Sequence, residues 1–192
     1  NSTSTVNQLQ ADLLRYGIAL GGDIIGRISY GFTFAGYTGE TKTTAAGPIV
    51  DMKGAMFDFS LGYDQDGLFE VHAGYHTDTG DDGSDANVDT YDPFFYDSHA
   101  NAGAMDVLGW GNLNYFWAGF SIPFGNSKFA ADYFSFSQSE TSTTLTTATN
   151  GANLPTPNGT DKALGSEIDV VASHEYDNGL TLELRYSLFL PG

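Results

Sequence analysis

Residues 167–188 read EIDVVASHEYDNGLTLELRYSL, and this stretch decides the fold class. In its first half Ile168, Val170 and Ala172 alternate with mostly polar residues, and from Leu180 to Leu188 every second residue is again apolar. Alternation with a period of two is typical of a β-strand that has one apolar and one polar face. The DNG triplet at 177–179 is a turn signal. The stretch therefore predicts a β-hairpin with two chemically different faces.

The same alternation recurs in segments of about ten residues along the whole chain. It is clear at 27–34, 56–63 and 69–76, and weaker at 14–21, 114–122 and 128–138. In the last segment Asp132 shares a face with Phe134 and Phe136, so the orientation of that strand stays open. An all-β, antiparallel fold with about eight strands is predicted, in a single domain that spans 1–192.

The connections between these strands alternate in length. Short Gly-, Asn- and Asp-rich turns are expected at 22–26, 64–67, 123–127 and 177–179, and long polar loops near 36–53, 77–105 and 139–163. A soluble β-sandwich also has alternating strands. Tight turns and long loops alternate regularly here, and aromatic residues lie near the strand ends. Both features favour a transmembrane β-barrel of a bacterial outer membrane. Such a barrel would be in contact with lipid and lipopolysaccharide.

The charge and composition exclude several classes of protein. The net charge is −17, from 24 acidic and 7 basic residues, which disfavours nucleic-acid binding because phosphate contacts need clustered Lys and Arg. Cysteine is absent, so disulfides and thiolate sites are excluded. No stretch reaches the ~18 apolar residues of a membrane-spanning helix. Passage through a membrane would have to use strands.

The arrangement of turns also predicts where the ends of the chain lie. If the short turns are periplasmic, both ends of the eight-strand set are extracellular, whereas single-chain barrels normally begin and end in the periplasm. We therefore expect part of a larger barrel that lacks strands at both ends. A complete eight-stranded barrel is the alternative.

Several motifs in the second half resemble the alginate-export porin family of outer-membrane barrels. They are GDD at 80–82, YDPFFY at 91–96 with His99, MDVLGWGNL at 105–113, and LGSEIDVVAS at 164–173 continuing to LTLELRYSLFLPG at 180–192. The resemblance covers roughly 54–192. It implies a barrel of many strands that encloses a channel.

The polar faces of the strands supply the candidate pore-lining residues. They are Arg15, Arg27, Asp58, Glu70, His72, His76, Glu167, Asp169, Glu175, Glu183 and Arg185. Acids outnumber bases in this set, which favours cations or neutral polar solutes over anions. Alginate, a polyanion, fits these residues poorly. Pairing of arginine with carboxylates across strands is the alternative use of the same side chains.

Two loop segments draw attention. Counted from Asp78, the acidic stretch 78–89 partly matches a calcium loop, with Asp78, Asp82 and Asp89 as candidate ligands, although position three is Gly80 and no helices flank it. A solvated acidic loop is the alternative. The aromatic stretch 91–96 is expected either to fold inward as a constriction or to pack against neighbouring loops.

The sequence predicts a channel rather than an enzyme. No catalytic motif of a hydrolase, metalloprotease or nucleotide-binding protein is present, and no cofactor is expected apart from the candidate calcium ion. The predicted function is passage of small polar or cationic solutes, or export of an unidentified product. The alternative is a plugged structural or adhesive barrel that acts through its external loops, as a homo-oligomer or within an envelope assembly.

Overall fold

The computed structural model describes residues 11–42, 47–93, 102–142 and 157–192, which form one antiparallel sheet. Its eight strands follow one another in chain order across the sheet. They are β1 (Ala11–Ile25), β2 (Ile28–Lys42), β3 (Ile49–Asp64), β4 (Glu70–Asp78), β5 (Leu113–Phe124), β6 (Ser127–Gln138), β7 (Ala163–Glu175) and β8 (Thr181–Pro191). β1 and β8 are the two edges, so the sheet is open, as part of a barrel would be. The predicted all-β antiparallel fold is confirmed.

Tight turns join alternate pairs of strands at one end of the sheet, which we call the short-turn end. The β1–β2 and β5–β6 turns each begin with a glycine at positive φ, Gly26 (51°) and Gly125 (60°). That backbone region is open to glycine at little cost, because glycine has no Cβ. The opposite, long-loop end carries the connections 43–48, 79–112 and 139–162.

The expected loop at 36–53 was wrong. β2 continues to Lys42 and β3 begins at Ile49, with Gly36 to Lys42 paired in register against Ile49 to Ala55. These residues lack the strict apolar alternation that marked the strands. Backbone hydrogen bonds extend the hairpin nevertheless, because a β-ladder needs no apolar side chains to continue.

Most apolar side chains of the eight strands share one face of the sheet. In the cross-strand register, one row of that apolar face contains Tyr30, Leu61, Ala73, Ala118, Tyr133, Ile168 and Leu188. Large apolar residues here are exposed, for example Leu20 (52%) and Leu184 (67%). The other face is polar, and its residues at the long-loop end are buried under the 79–112 connection.

The register resolves the orientation of β6. Asp132 pairs with Gly119 on β5 and with Asp169 on β7, which places it on the polar face together with Phe134 and Phe136. The two phenylalanines belong to this face because the 79–112 connection covers them. Among the described residues, no helix has the length and apolar character needed to cross a membrane.

The two faces can be distinguished by paired arginine substitutions at adjacent positions of β3. We expect Leu61→Arg to destabilise the full-length protein in lipid vesicles, by up to about 2–4 kcal/mol, because it places a charge on the apolar face. Ser60→Arg, on the polar face, should cost clearly less. Reversible urea unfolding from vesicles measures both, and equal losses would contradict the assignment of the faces.

Candidate functional site

The polar face brings together most of the residues that the sequence singles out. In the cross-strand register this face carries Arg15, Asp58, Glu70, His72, His76, Glu167, Asp169, Glu175, Glu183 and Arg185. They are not equivalent. Those near the long-loop end are buried by the 79–112 connection, whereas Glu70, Glu175 and Glu183 remain exposed.

Arg27 lies elsewhere. β1 continues through residues 22–25, so the turn falls at 26–27 and Arg27 is in it, where it pairs with the Asp66 carboxylate of the β3–β4 turn. Its expected position on a strand face was therefore wrong. The signal that misled is the glycine pair at 21–22, which is part of β1 and not of the turn.

Asp78 anchors the C-terminal part of the 79–112 connection. Its side chain is buried and accepts hydrogen bonds from the backbone amides of Gly111 (2.8 Å) and Leu113 (2.6 Å). Hydrogen bonds to a charged acceptor are about twice as strong as neutral ones. Asp78 therefore fixes the point where the connection re-enters the sheet as β5.

His76 joins this anchor to the polar face. The ring is fully buried and stacks on Trp110 of the connection (4.4 Å between ring centroids) and on Tyr115 of β5 (4.7 Å). Nδ1 lies 3.4 Å from Asp58, and Nε2 lies 3.3 Å from Asp78. His76 thus contacts two aromatic rings and two carboxylates, and these contacts keep the connection packed against the strands.

Glu167 and Asp169 of β7 hold a second part of the connection. Met105 donates its backbone amide to Glu167 Oε1 (2.9 Å), and Ala104 donates its amide to Asp169 Oδ2 (3.0 Å). Gly103 makes this approach possible, because a Cβ there would lie 2.6 Å from Glu167 Oε1. Both carboxylates are buried as a result.

Apolar packing completes this second contact. Val107 and Leu108 of the connection and the strand residues Tyr115, Phe136 and Leu164 belong to one buried cluster. Burial of such side chains contributes about 25 cal/mol per Å² of apolar surface removed from water. The connection is therefore held by packing as well as by amide–carboxylate hydrogen bonds.

The N-terminal part of the connection lies against β1, β2 and β3. The backbone of Val88 exchanges hydrogen bonds with Asp51 and Lys53, and Tyr37 donates its hydroxyl to the carbonyl of Thr90. Arg15 forms an ion pair with Asp92 at 3.7 Å. The connection thus contacts the polar face from β1 to β7.

Tyr91 is the described part of the aromatic stretch 91–96. It is buried, and its ring stacks on that of Tyr37 with 6.2 Å between the centroids. Gly54 leaves room for this contact, because a Cβ at position 54 would come within 2.8 Å of the Tyr91 Cα. Burial raises the pKa of the Tyr91 hydroxyl. Tyr91 thus packs on the polar face, while residues 94–96 and His99 lie outside the described residues.

The candidate calcium ligands are not brought together. Asp78 is occupied by backbone amides, and Asp89 pairs with Lys53 at 3.5 Å. Asp82 accepts hydrogen bonds from Ser84, which hold the pKa of its carboxyl below the usual range. Across the part of the chain that the structure describes, no group of three or more acidic or histidine residues could hold a metal ion.

Sequence reasoning missed the pair formed by His72 and Asp132. His72 Nε2 lies 2.6 Å from Asp132 Oδ1, although the residues belong to β4 and β6. Gly119 of β5 lies between them, and a Cβ there would be 2.0 Å from Asp132 Oδ1. The glycine at position 119 is the sequence feature that allows this pair to form. It could not be recognised from the sequence, because the register that places Gly119 between His72 and Asp132 was not known.

The two anchors can be tested separately by hydrogen exchange. We expect Glu167→Ala to speed amide exchange about tenfold or more in peptides that cover 104–105, because a buried charge-assisted hydrogen bond is lost. Peptides that cover 111–113 should change little, and Asp78→Ala should give the opposite pattern. Glu175→Ala, which removes an exposed carboxylate of the same face, is the matched control. Equal effects of all three variants would contradict the anchoring.

Comparison with known proteins agrees with the two-faced sheet. The family model described as alginate export matches residues 4–192, nearly the whole chain, and so extends the resemblance beyond 54–192. No curated protein matches the chain. Members of the matched family are outer-membrane porins, for which an apolar face toward lipid and a polar face toward the lumen are expected. The chain belongs to the alginate-export family of outer-membrane β-barrels.

Proposed function

We propose that the polar face lines an outer-membrane channel that passes small polar or cationic solutes, and that the 79–112 connection narrows it. The docking of this connection on buried carboxylates carries the proposal. Irregular backbone at membrane depth is stable only where it is buried in protein or lines a water-filled cavity. A segment held across the lumenal face of a porin strand set is in position to limit the size of the solute.

Charge supports the selectivity. Among the described strand residues the polar face carries acids from one end to the other, and its lysines and arginines are Arg15, Lys128 and Arg185. Two of these are already paired, Arg15 with Asp92 and Arg185 with Glu183. A pore lined by one sign of charge concentrates counter-ions and excludes like charges. Polyanions such as polyuronates are therefore disfavoured as the solute on this part of the wall.

A plugged barrel is the second candidate, because the same docked connection covers part of the polar face. The plug expected from the sequence was a set of arginine–carboxylate pairs across strands. Arg185 instead pairs with Glu183 on its own strand, at 3.2 Å. The covering is a chain segment, which can be displaced without rebuilding the sheet.

Conductance of the full-length protein in planar bilayers distinguishes the two candidates. A channel should conduct, and Asp78→Ala should raise the single-channel conductance, because the constriction loses the two amide contacts at Gly111 and Leu113. Glu40→Gln, which changes an acid on the opposite face of β2, should leave conductance unchanged. Absence of conductance in both the unmodified protein and Asp78→Ala would favour the plugged barrel.

Ion selectivity tests the charge argument independently. The combined change Glu70→Gln, Glu175→Gln and Glu183→Gln should lower the preference for cations, measured as a reversal potential across a salt gradient closer to zero. The effect should shrink at high salt, because screening shortens the range of the field. Glu40→Gln with Asp51→Asn is the control on the opposite face. Anion preference in the unmodified protein would contradict the proposal.

A further inference from the structure

A cavity of about 370 Å³ lies on the polar face next to residues 103–104 of the connection. Its volume falls within the range of sites for small organic ligands. Its walls combine aromatic and apolar side chains with a group of charged ones. The lining includes Trp117, Phe134, Val171, His72, Asp58, Asp132, Asp169 and Arg185.

Two carboxylates from neighbouring strands line this cavity. Asp132 of β6 and Asp169 of β7 are direct cross-strand partners. Like charges at such positions destabilise an antiparallel sheet. Asp132 pairs with His72, and Asp169 accepts the Ala104 amide, while no lysine or arginine within the described ranges forms an ion pair with either. The negative charge is therefore only partly compensated.

The hydrogen bonding of these carboxylates is also incomplete. Asp169 is 5% exposed, yet its Oδ1 receives no hydrogen bond in the described part of the molecule, and the same holds for Oε2 of the neighbouring Glu167. A buried carboxylate oxygen without a donor is costly. A positively charged group in the cavity would compensate part of the negative charge of Asp132 and Asp169.

The aromatic wall indicates that this group belongs to an organic molecule. The Trp117 ring lies over Gly74, where a Cβ would come within 2.2 Å of it, so a glycine makes room for the indole. Indole and phenyl faces attract organic cations and their hydrocarbon parts. A bare calcium ion would need six to eight oxygen ligands. Arg185 is paired with Glu183, which leaves the acids as the main charge of the cavity.

We propose that this cavity binds an organic cation with a primary ammonium group. The ammonium group lies between Asp132 and Asp169, and the hydrocarbon part lies against Trp117 and Phe134. The inference rests on the proposed function, since it names a chemical class of solute that pauses at the constriction. Neutral and anionic molecules of the same shape bind much more weakly, because they cannot compensate the two carboxylates.

Tryptophan fluorescence can report binding directly. Trp117 lies in the wall of the cavity, so its fluorescence should change on binding, and Trp117→Phe should abolish that change. The full-length protein in detergent is titrated with n-butylammonium, butan-1-ol and butyrate, which share one hydrocarbon chain. A saturable change is expected with n-butylammonium alone. Adding Asp132→Asn or Asp169→Asn should weaken it at least about tenfold.

Controls separate binding from folding and from transport. Asp132→Asn is the sharper variant, because Asp132 does not hold the connection, and Glu175→Gln should leave the titration unchanged. An equal response to butan-1-ol or butyrate, or unchanged binding in both Asn variants, would overturn the inference. Cation-selective conductance without a saturable n-butylammonium signal would overturn it and leave the channel intact. Binding without conductance would support the site and count against the channel.

Discussion

Hydrogen bonds from backbone amides to buried carboxylates are the interaction on which the polar face depends. Asp78, Glu167 and Asp169 each accept amides of the 79–112 connection or of the residue that follows it. Hydrogen bonds to charged groups contribute about 1.5–3 kcal/mol each, and loss of one partner leaves a costly buried charge. The strand acids thus order a segment whose described residues form no helix or strand of their own. At Gly103 and Ala104 these hydrogen bonds matter most, because the two residues offer almost no apolar surface, whereas Ala102, Val107 and Leu108 on either side pack in the apolar cluster.

Glycine determines how close these groups can come. Gly103 allows the connection to rest on Glu167, Gly119 leaves room for His72 and Asp132 to meet across β5, and Gly74 lies beneath Trp117. In each case a Cβ would come within 2.6 Å of the neighbouring side chain, much nearer than van der Waals contact. The glycines of this chain therefore do more than make turns. They also leave space for large or charged side chains of neighbouring strands to lie side by side on the polar face.

Alternation in the sequence was sufficient to predict most strands and which side chains share a face, because side-chain direction in a strand is fixed by the period of two. The membrane-barrel class needed the alternation of short turns and long loops as well. Alternation could not predict the ends of strands that continue through backbone hydrogen bonds without alternating side chains. The hairpin of β2 and β3 continues through polar residues, and β1 runs on through Gly21 and Gly22, so Arg27 falls in a turn. Asp132 could be oriented only from the register. The anchors were not predictable at all, since the donors are backbone amides, which carry no residue-specific signal.

The acids of the polar face divide into two groups with different physical roles. Asp78, Glu167 and Asp169 are buried, and each accepts a backbone amide of the 79–112 connection or of the residue that follows it. Glu70, Glu175 and Glu183 are exposed, and Glu183 is paired with Arg185, so Glu70 and Glu175 supply most of the exposed charge that attracts mobile cations. Because a buried anchor and an exposed charge act through different interactions, the width of the channel and its selectivity can change independently.

Asp132 belongs to neither group: it is partly exposed, it does not hold the connection, and its partner His72 is itself ionisable. A cation bound at Asp132 would also lie close to Asp169, its cross-strand partner, which accepts the Ala104 amide of the connection. Binding of the cation and docking of the connection would therefore affect each other.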